Sequence, residues 1–139
     1  MKLLKIPIDQ ILALMGAALC LVITILLWGG ISLHQTMWPA PGLYFIEIVA
    51  VCVAAAGLLL SGGAPGRAAV WVSAGIVMAF SLLAAFSVGL FYFPVGLVFI
   101  IAGLAADRRA GQPMLGHVGL FFAAGITQAA LILAIAYLG

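Results

Sequence analysis

The chain has 139 residues, 68% of them hydrophobic and only 6% charged, with a mean hydropathy of +1.42. Five Lys/Arg and three Asp/Glu are too few to coat a globule in water, since a soluble domain runs nearer half apolar and a quarter charged. Composition therefore excludes a soluble domain, a disordered tail and a nucleic-acid binder with a basic face. The apolar runs are continuous rather than alternating, which also excludes an outer-membrane barrel. The chain reads as an all-α, polytopic integral membrane protein with lipid as its solvent and no nucleic-acid partner.

A spanning helix needs about 20 apolar residues. The first run covers residues 11–33, after Lys2, Lys5, Pro7 and an Asp9 placed to cap the helix. Its basic start and Gly16-Ala-Ala resemble a signal sequence only superficially, because apolar sequence continues well past that point; an uncleaved helix is expected. A loop from His34 to Gly42 with two prolines leads to the second run, residues 43–61, which ends in the breaker cluster Gly62-Gly-Ala-Pro-Gly-Arg67. Residues 69–106 form 38 positions without a formal charge. As one helix they would extend about 57 Å, nearly twice the hydrocarbon thickness, and tilt cannot absorb that excess. Two crossings, at about 68–87 and 90–106, fit better, with Ser87-Val-Gly89 and Pro94 supplying the break. Asp107-Arg-Arg-Ala-Gly-Gln-Pro113 reads as a loop, and residues 114–138 as the fifth helix.

Five crossings place Lys2, Lys5, Arg67, Arg108 and Arg109 on one side and leave the opposite loops without Lys or Arg. The positive-inside rule then puts the N-terminus in the cytoplasm and the C-terminus outside, as expected for a bacterial cytoplasmic membrane. Trp28, Trp38, Tyr44, Phe45, Phe91, Tyr92, Phe93 and Tyr137 fall near the outer interface, and Trp71 and Phe121 near the inner one, where aromatic rings anchor a protein in lipid.

Residues 66–76 align with 116–126 at a 50-residue offset, and helices one, three and five carry glycines 14 apart at Gly16/Gly30, Gly75/Gly89 and Gly125/Gly139. The pattern fits a parallel hairpin repeat, 9–61 and 66–107, plus an unpaired helix 114–138; abundant Gly and Ala would also give such matches by chance. Gly16, Cys20 and Thr24, Gly75 and Ala79, and Gly125 and Ala129 form small-residue ridges on which helices can approach closely.

Glu47 is the one ionisable residue well inside a span, where lipid makes its charge costly. It either binds a proton or cation, with His34, Gln35, Ser87, Tyr92 and Tyr137 as candidate partners on the same side, or sits high enough to reach interfacial water or cap an outer hydrogen-bond network; Gln128 offers an interhelical hydrogen bond or a place on a solute path. His34 and His117 lie on opposite sides and cannot hold one haem iron within a subunit, and Cys20 and Cys52 have no metal-site companions, so no cofactor is expected. No nucleophile elbow, HExxH, P-loop or GxGxxG is present, and the loops leave no room for a catalytic domain. The expectation is a small non-catalytic accessory or assembly subunit that packs against other membrane subunits or itself. The alternatives are a homo-oligomeric transporter or channel with Glu47 in its path, and lipid or quinone binding between helices.

Overall fold

A computed structural model describes residues 5–36, 38 and 41–138, all helices and turns. It contains five helices long and apolar enough to cross a membrane. Helix α1 spans Ile8–Ser32, α2 Gly42–Ser61, α3 Ala64–Leu83, α4 Phe93–Ala110 and α5 Leu115–Leu138. Short connections make successive helices antiparallel, so α1, α3 and α5 start at one end of the bundle, here the near end, and run to the far end.

The turns follow from glycine and proline chemistry. Between α2 and α3 lie only Gly62 and Gly63, at φ 82° and 88°, a conformation that a Cβ makes costly. Pro65 then sits in the first turn of α3, where its missing N–H costs nothing. A Cβ on Gly66 would lie 2.5 Å from the Leu58 carbonyl oxygen, so the start of α3 rests directly on the end of α2. At the far end, residues 84–88 turn the chain into a 3₁₀ segment, Gly89–Tyr92, that leads into α4 with Pro94 in its first turn. Helix α4 ends in a Schellman motif: Gly111 adopts the left-handed conformation, its N–H reaches Arg108 O, and Gln112 N–H reaches Asp107 O.

Several boundaries differ from the sequence reading. Helix α1 begins at Ile8, with extended Pro7 before it, so Asp9 lies inside the first turn and makes no cap. Helix α3 starts at Ala64 rather than 68 and stops at Leu83 rather than 87. The expected loop at Asp107-Arg108-Arg109 is helical, the last full turn of α4. Carboxylates and arginines at a helix end read as loop only if water is their partner; here protein groups take that place for Asp107 and Arg109, and Arg108 is left exposed. Lys2 and Gly139 lie outside the described residues.

Helices α1, α2, α3 and α4 close into a ring in which each touches the next and α4 returns to α1; α5 lies outside, against α3. The ring's core contains Ala13, Ala17, Cys20, Phe45, Ile48, Cys52, Val77, Val95 and Phe99. Small residues on α1 permit this closeness, and a Cβ on Gly16 would meet the Phe99 ring at 2.9 Å. Phe45 and Tyr92 are fully buried here instead of lying in an aromatic belt, because both turn inward and pack ring on ring, centroids 6.1 Å apart.

Candidate functional site

The near end holds the polar network of the fold. Asp107 is fully buried. Its Oδ2 accepts from Trp71 Nε1–H at 2.9 Å, and its Oδ1 lies 2.8 Å from His117 Nδ1. An ionised carboxylate only accepts, so Nδ1 of His117 carries the proton. Arg67 Nε stands 3.9 Å from the same Oδ1, beyond hydrogen-bonding distance but close enough for charge attraction. A buried carboxylate needs such donors, because low dielectric makes an unpaired charge expensive. One side chain of α4 thus joins two residues of α3 and one of α5.

A second buried carboxylate, Asp9, accepts from Arg109 Nη2 at 2.7 Å and ties α1 to α4. Gln10 Nε2 donates to Leu59 O at 3.3 Å and ties α1 to α2. Every helix is therefore linked at this end by at least one polar contact. These contacts link the helices to one another, while Asp9 Oδ1 and Arg67 Nε are buried without a hydrogen-bond partner among the described residues. No Ser, Thr or Cys is bonded to His117 as a nucleophile would be, and the described residues include no group of three or more potential metal ligands.

In mid-bundle, the Thr24 hydroxyl donates to its own helix at Cys20 O, 2.8 Å. Its proton is committed there, so Tyr92 Oη, also 2.8 Å away, donates to Thr24. The free thiols of Cys20 and Cys52 are both buried in the core, and Ser73 Oγ contacts Cys52 Sγ at 3.9 Å. The Thr24–Tyr92 bond ties α1 to the segment before α4, and the Ser73–Cys52 contact ties α3 to α2.

The residues singled out around Glu47 are not gathered into one site. Glu47 is half-buried on α2 and has no hydrogen bond or ion pair with a described residue; Tyr92 bonds Thr24 instead. His34 is exposed beyond α1, Tyr137 is 90% exposed near the end of α5, and Gln128 is buried. The packing ridges lie at helix contacts: Gly16 on Phe99, and Gly75 on Phe121 and Gly125. Residues 50 apart in sequence face each other there, because α3 and α5 are parallel neighbours. Arg67 and His117, equivalent in that register, both reach Asp107. Lys5 and Arg108 are exposed at the near end, while Arg67 and Arg109 are engaged by the carboxylates.

Hydropathy does not single out Asp9 and Asp107, because it reads charge as a boundary. In a chain with three acidic residues, both carboxylates beside helix ends required partners, and that requirement is the signal that finds them.

The remaining feature is α5 itself. Of its 24 residues only Gln128 is buried, and α3 is its one extensive neighbour. Gly116, Gly119, Ala123, Thr127, Ala130 and Ala134 are all exposed. At 100° per residue they fall within an arc of about 80° on the side opposite Phe121, Gly125 and Ile132. Nothing lies within 4 Å of a Cβ placed on Gly116 or Gly119. Leu120 and Leu131 border the stripe on one flank, and Ile126 and Leu133 on the other, all exposed. No protein family, curated protein or solved structure matches this chain.

Proposed function

We propose that the protein is a small non-catalytic subunit of a membrane assembly and that α5 is its docking helix. The observation that carries this reading is the outward stripe of small residues on a helix the bundle leaves almost uncovered. Lipid tails are as apolar as leucine, so hydrophobicity does not drive helices together in a bilayer. Close backbone approach and dispersion do, and small residues three and four apart permit it. The flanking leucines and isoleucines complete a shallow trough that a partner helix can enter.

The four-helix ring serves as the stable base, and the Asp107 network fixes the angle at which α5 is presented. The basic residues Lys5, Arg67, Arg108 and Arg109, grouped at the near end, support a cytoplasmic placement of that end in a bacterial inner membrane. The test is native mass spectrometry of mildly extracted protein, with and without Ala123→Leu and Ala130→Leu. A foreign subunit at fixed stoichiometry, lost in the variant, is the expected result. A bare monomer in both would overturn it.

A second reading rests on Glu47, a half-buried carboxylate without a described partner inside α2. It makes the protein a homo-oligomeric carrier with Glu47 on the path, and it requires that Glu47→Gln abolish flux while leaving the oligomer intact.

A further inference from the structure

At the far end, opposite the charged network, α1, α2, α3 and α5 do not meet fully. A cavity of about 400 Å³ remains between Gln35, Tyr44, Phe80, Leu83, Ser87 and Ile132, a size within the range of small-molecule sites. We propose that this cavity binds a neutral amphiphile with a hydrogen-bonding head and an apolar body, the chemistry shared by isoprenoid quinones and uncharged glycerolipids.

Three observations carry the inference, and none depends on α5 docking a partner. The first is position. The lining residues sit at the last turn of α1, the first turn of α2 and the end of α3, the level at which membrane helices leave the hydrocarbon. An amphiphile at that depth keeps its body in the acyl region and its head at the boundary.

The second is the distribution of polar groups. Gln35 and Tyr44 make no side-chain hydrogen bond to a described residue, and the Ser87 hydroxyl donates to Ala84 O at 3.1 Å, leaving its lone pairs to accept. These offer a few donors and acceptors in an otherwise apolar wall, in which the Tyr44 and Phe80 rings lie 6.0 Å apart at 36°. A flat ring or an ester group suits such a wall better than a bare alkyl chain.

The third is charge. No Lys, Arg, His, Asp or Glu lines the cavity, and the described basic residues other than His34 belong to the opposite end. A phosphate head drawn in among the lining residues would give up part of its hydration and find no counter-charge there. Neutral heads carry no such penalty. Leu83 also borders a second crevice of about 440 Å³ on the α3–α5 seam, lined by Met78, Phe122 and Ile126 among others, which offers an apolar surface for a tail.

The test uses the full chain in nonionic detergent, titrated separately with ubiquinone-1, dioctanoylglycerol and a short-chain phosphatidylglycerol, with binding read by isothermal calorimetry. Saturable one-to-one binding of at least one neutral probe is expected, and which of the two binds more tightly identifies the source. Ala84→Phe, which fills the cavity, is expected to weaken that binding at least about tenfold. Tyr44→Phe, which removes one hydroxyl, is expected to weaken it about three- to tenfold. Val53→Phe, on the exposed face of α2, should leave it unchanged. Should Ala84→Phe fail to fold, Ser87→Leu at the exposed turn replaces it. Absence of saturable binding by both neutral probes would overturn the proposal. So would wild-type affinity in the folded cavity-filling variant, or equally tight, cavity-dependent binding of phosphatidylglycerol.

Discussion

Truncating Asp107 tests the network that orients α5. The carboxylate receives the Trp71 N–H at 2.9 Å and the His117 N–H at 2.8 Å. In Asp107→Ala both donors lose their acceptor, and Arg67 loses its nearest described carboxylate. Hydrogen bonds to charged groups contribute about 1.5–3 kcal/mol in soluble proteins, whereas interhelical bonds within membranes contribute about 0.6–2 kcal/mol because the dissociated helices find other partners. Two such bonds in a buried but interfacial site therefore give a loss of about 2–4 kcal/mol. Asp107→Asn should cost less. Its amide oxygen still accepts from Trp71, and its NH₂ can donate to a His117 whose proton has moved to Nε2. The assay is reversible unfolding in mixed micelles followed by tryptophan fluorescence, in a double-mutant cycle with His117→Ala. A coupling of about 1 kcal/mol or more between positions 107 and 117 is expected. An Asp107→Ala loss below about 0.5 kcal/mol, or zero coupling, would mean that this network does not hold α5 against the bundle.

Three further outcomes follow from the same contacts. The Asp9–Arg109 pair is asymmetric, with the arginine side chain 49% exposed and the aspartate 1%. Arg109→Ala strands a buried carboxylate, whereas Asp9→Ala frees an arginine that can turn to water. Unfolding measurements should therefore show Arg109→Ala as the more damaging, with the double variant recovering part of the loss. Gly75→Ala places a Cβ against the Phe121 carbonyl and should displace α5 while the ring survives. Ala79→Cys with Gly125→Cys reads this directly: their Cβ positions are 3.9 Å apart, within disulfide range, so the cross-link should form and then vanish when Gly75→Ala is added. Tyr92→Phe removes the hydrogen bond to Thr24 without emptying the core and should lower stability by about 0.6–1.7 kcal/mol in the same unfolding assay.

Much of the architecture is legible in residue order. Five apolar runs, the need to break residues 69–106 and the glycine-proline clusters yield five helices in the right places. They do so because hydrocarbon thickness and backbone satisfaction leave few alternatives. Ends are less legible. Asp107 and Arg109 read as loop because their partners, Trp71 and His117 for the first and Asp9 for the second, are supplied by other helices. Tyr92 and Phe45 read as interfacial for a similar reason: an aromatic residue near a helix end faces lipid or core according to its angle, which depends on packing. The Gly75–Gly125 contact shows the converse. A small residue marks a close approach, but only the fold decides which ridge meets a partner within the chain and which, like Gly119 to Ala134 on α5, is left outside.

Site-specific cross-linking in native membranes tests whether α5 docks a foreign membrane subunit through its small-residue stripe. A photoreactive residue is placed in turn at Ala123 and Ala130 on α5, and at Val53 and Leu60 on exposed faces of α2. One discrete foreign partner is expected from both α5 positions and only lipid from both α2 positions. Equal lipid labelling at all four positions, or cross-links from α5 to a second copy of the same chain alone, would contradict it.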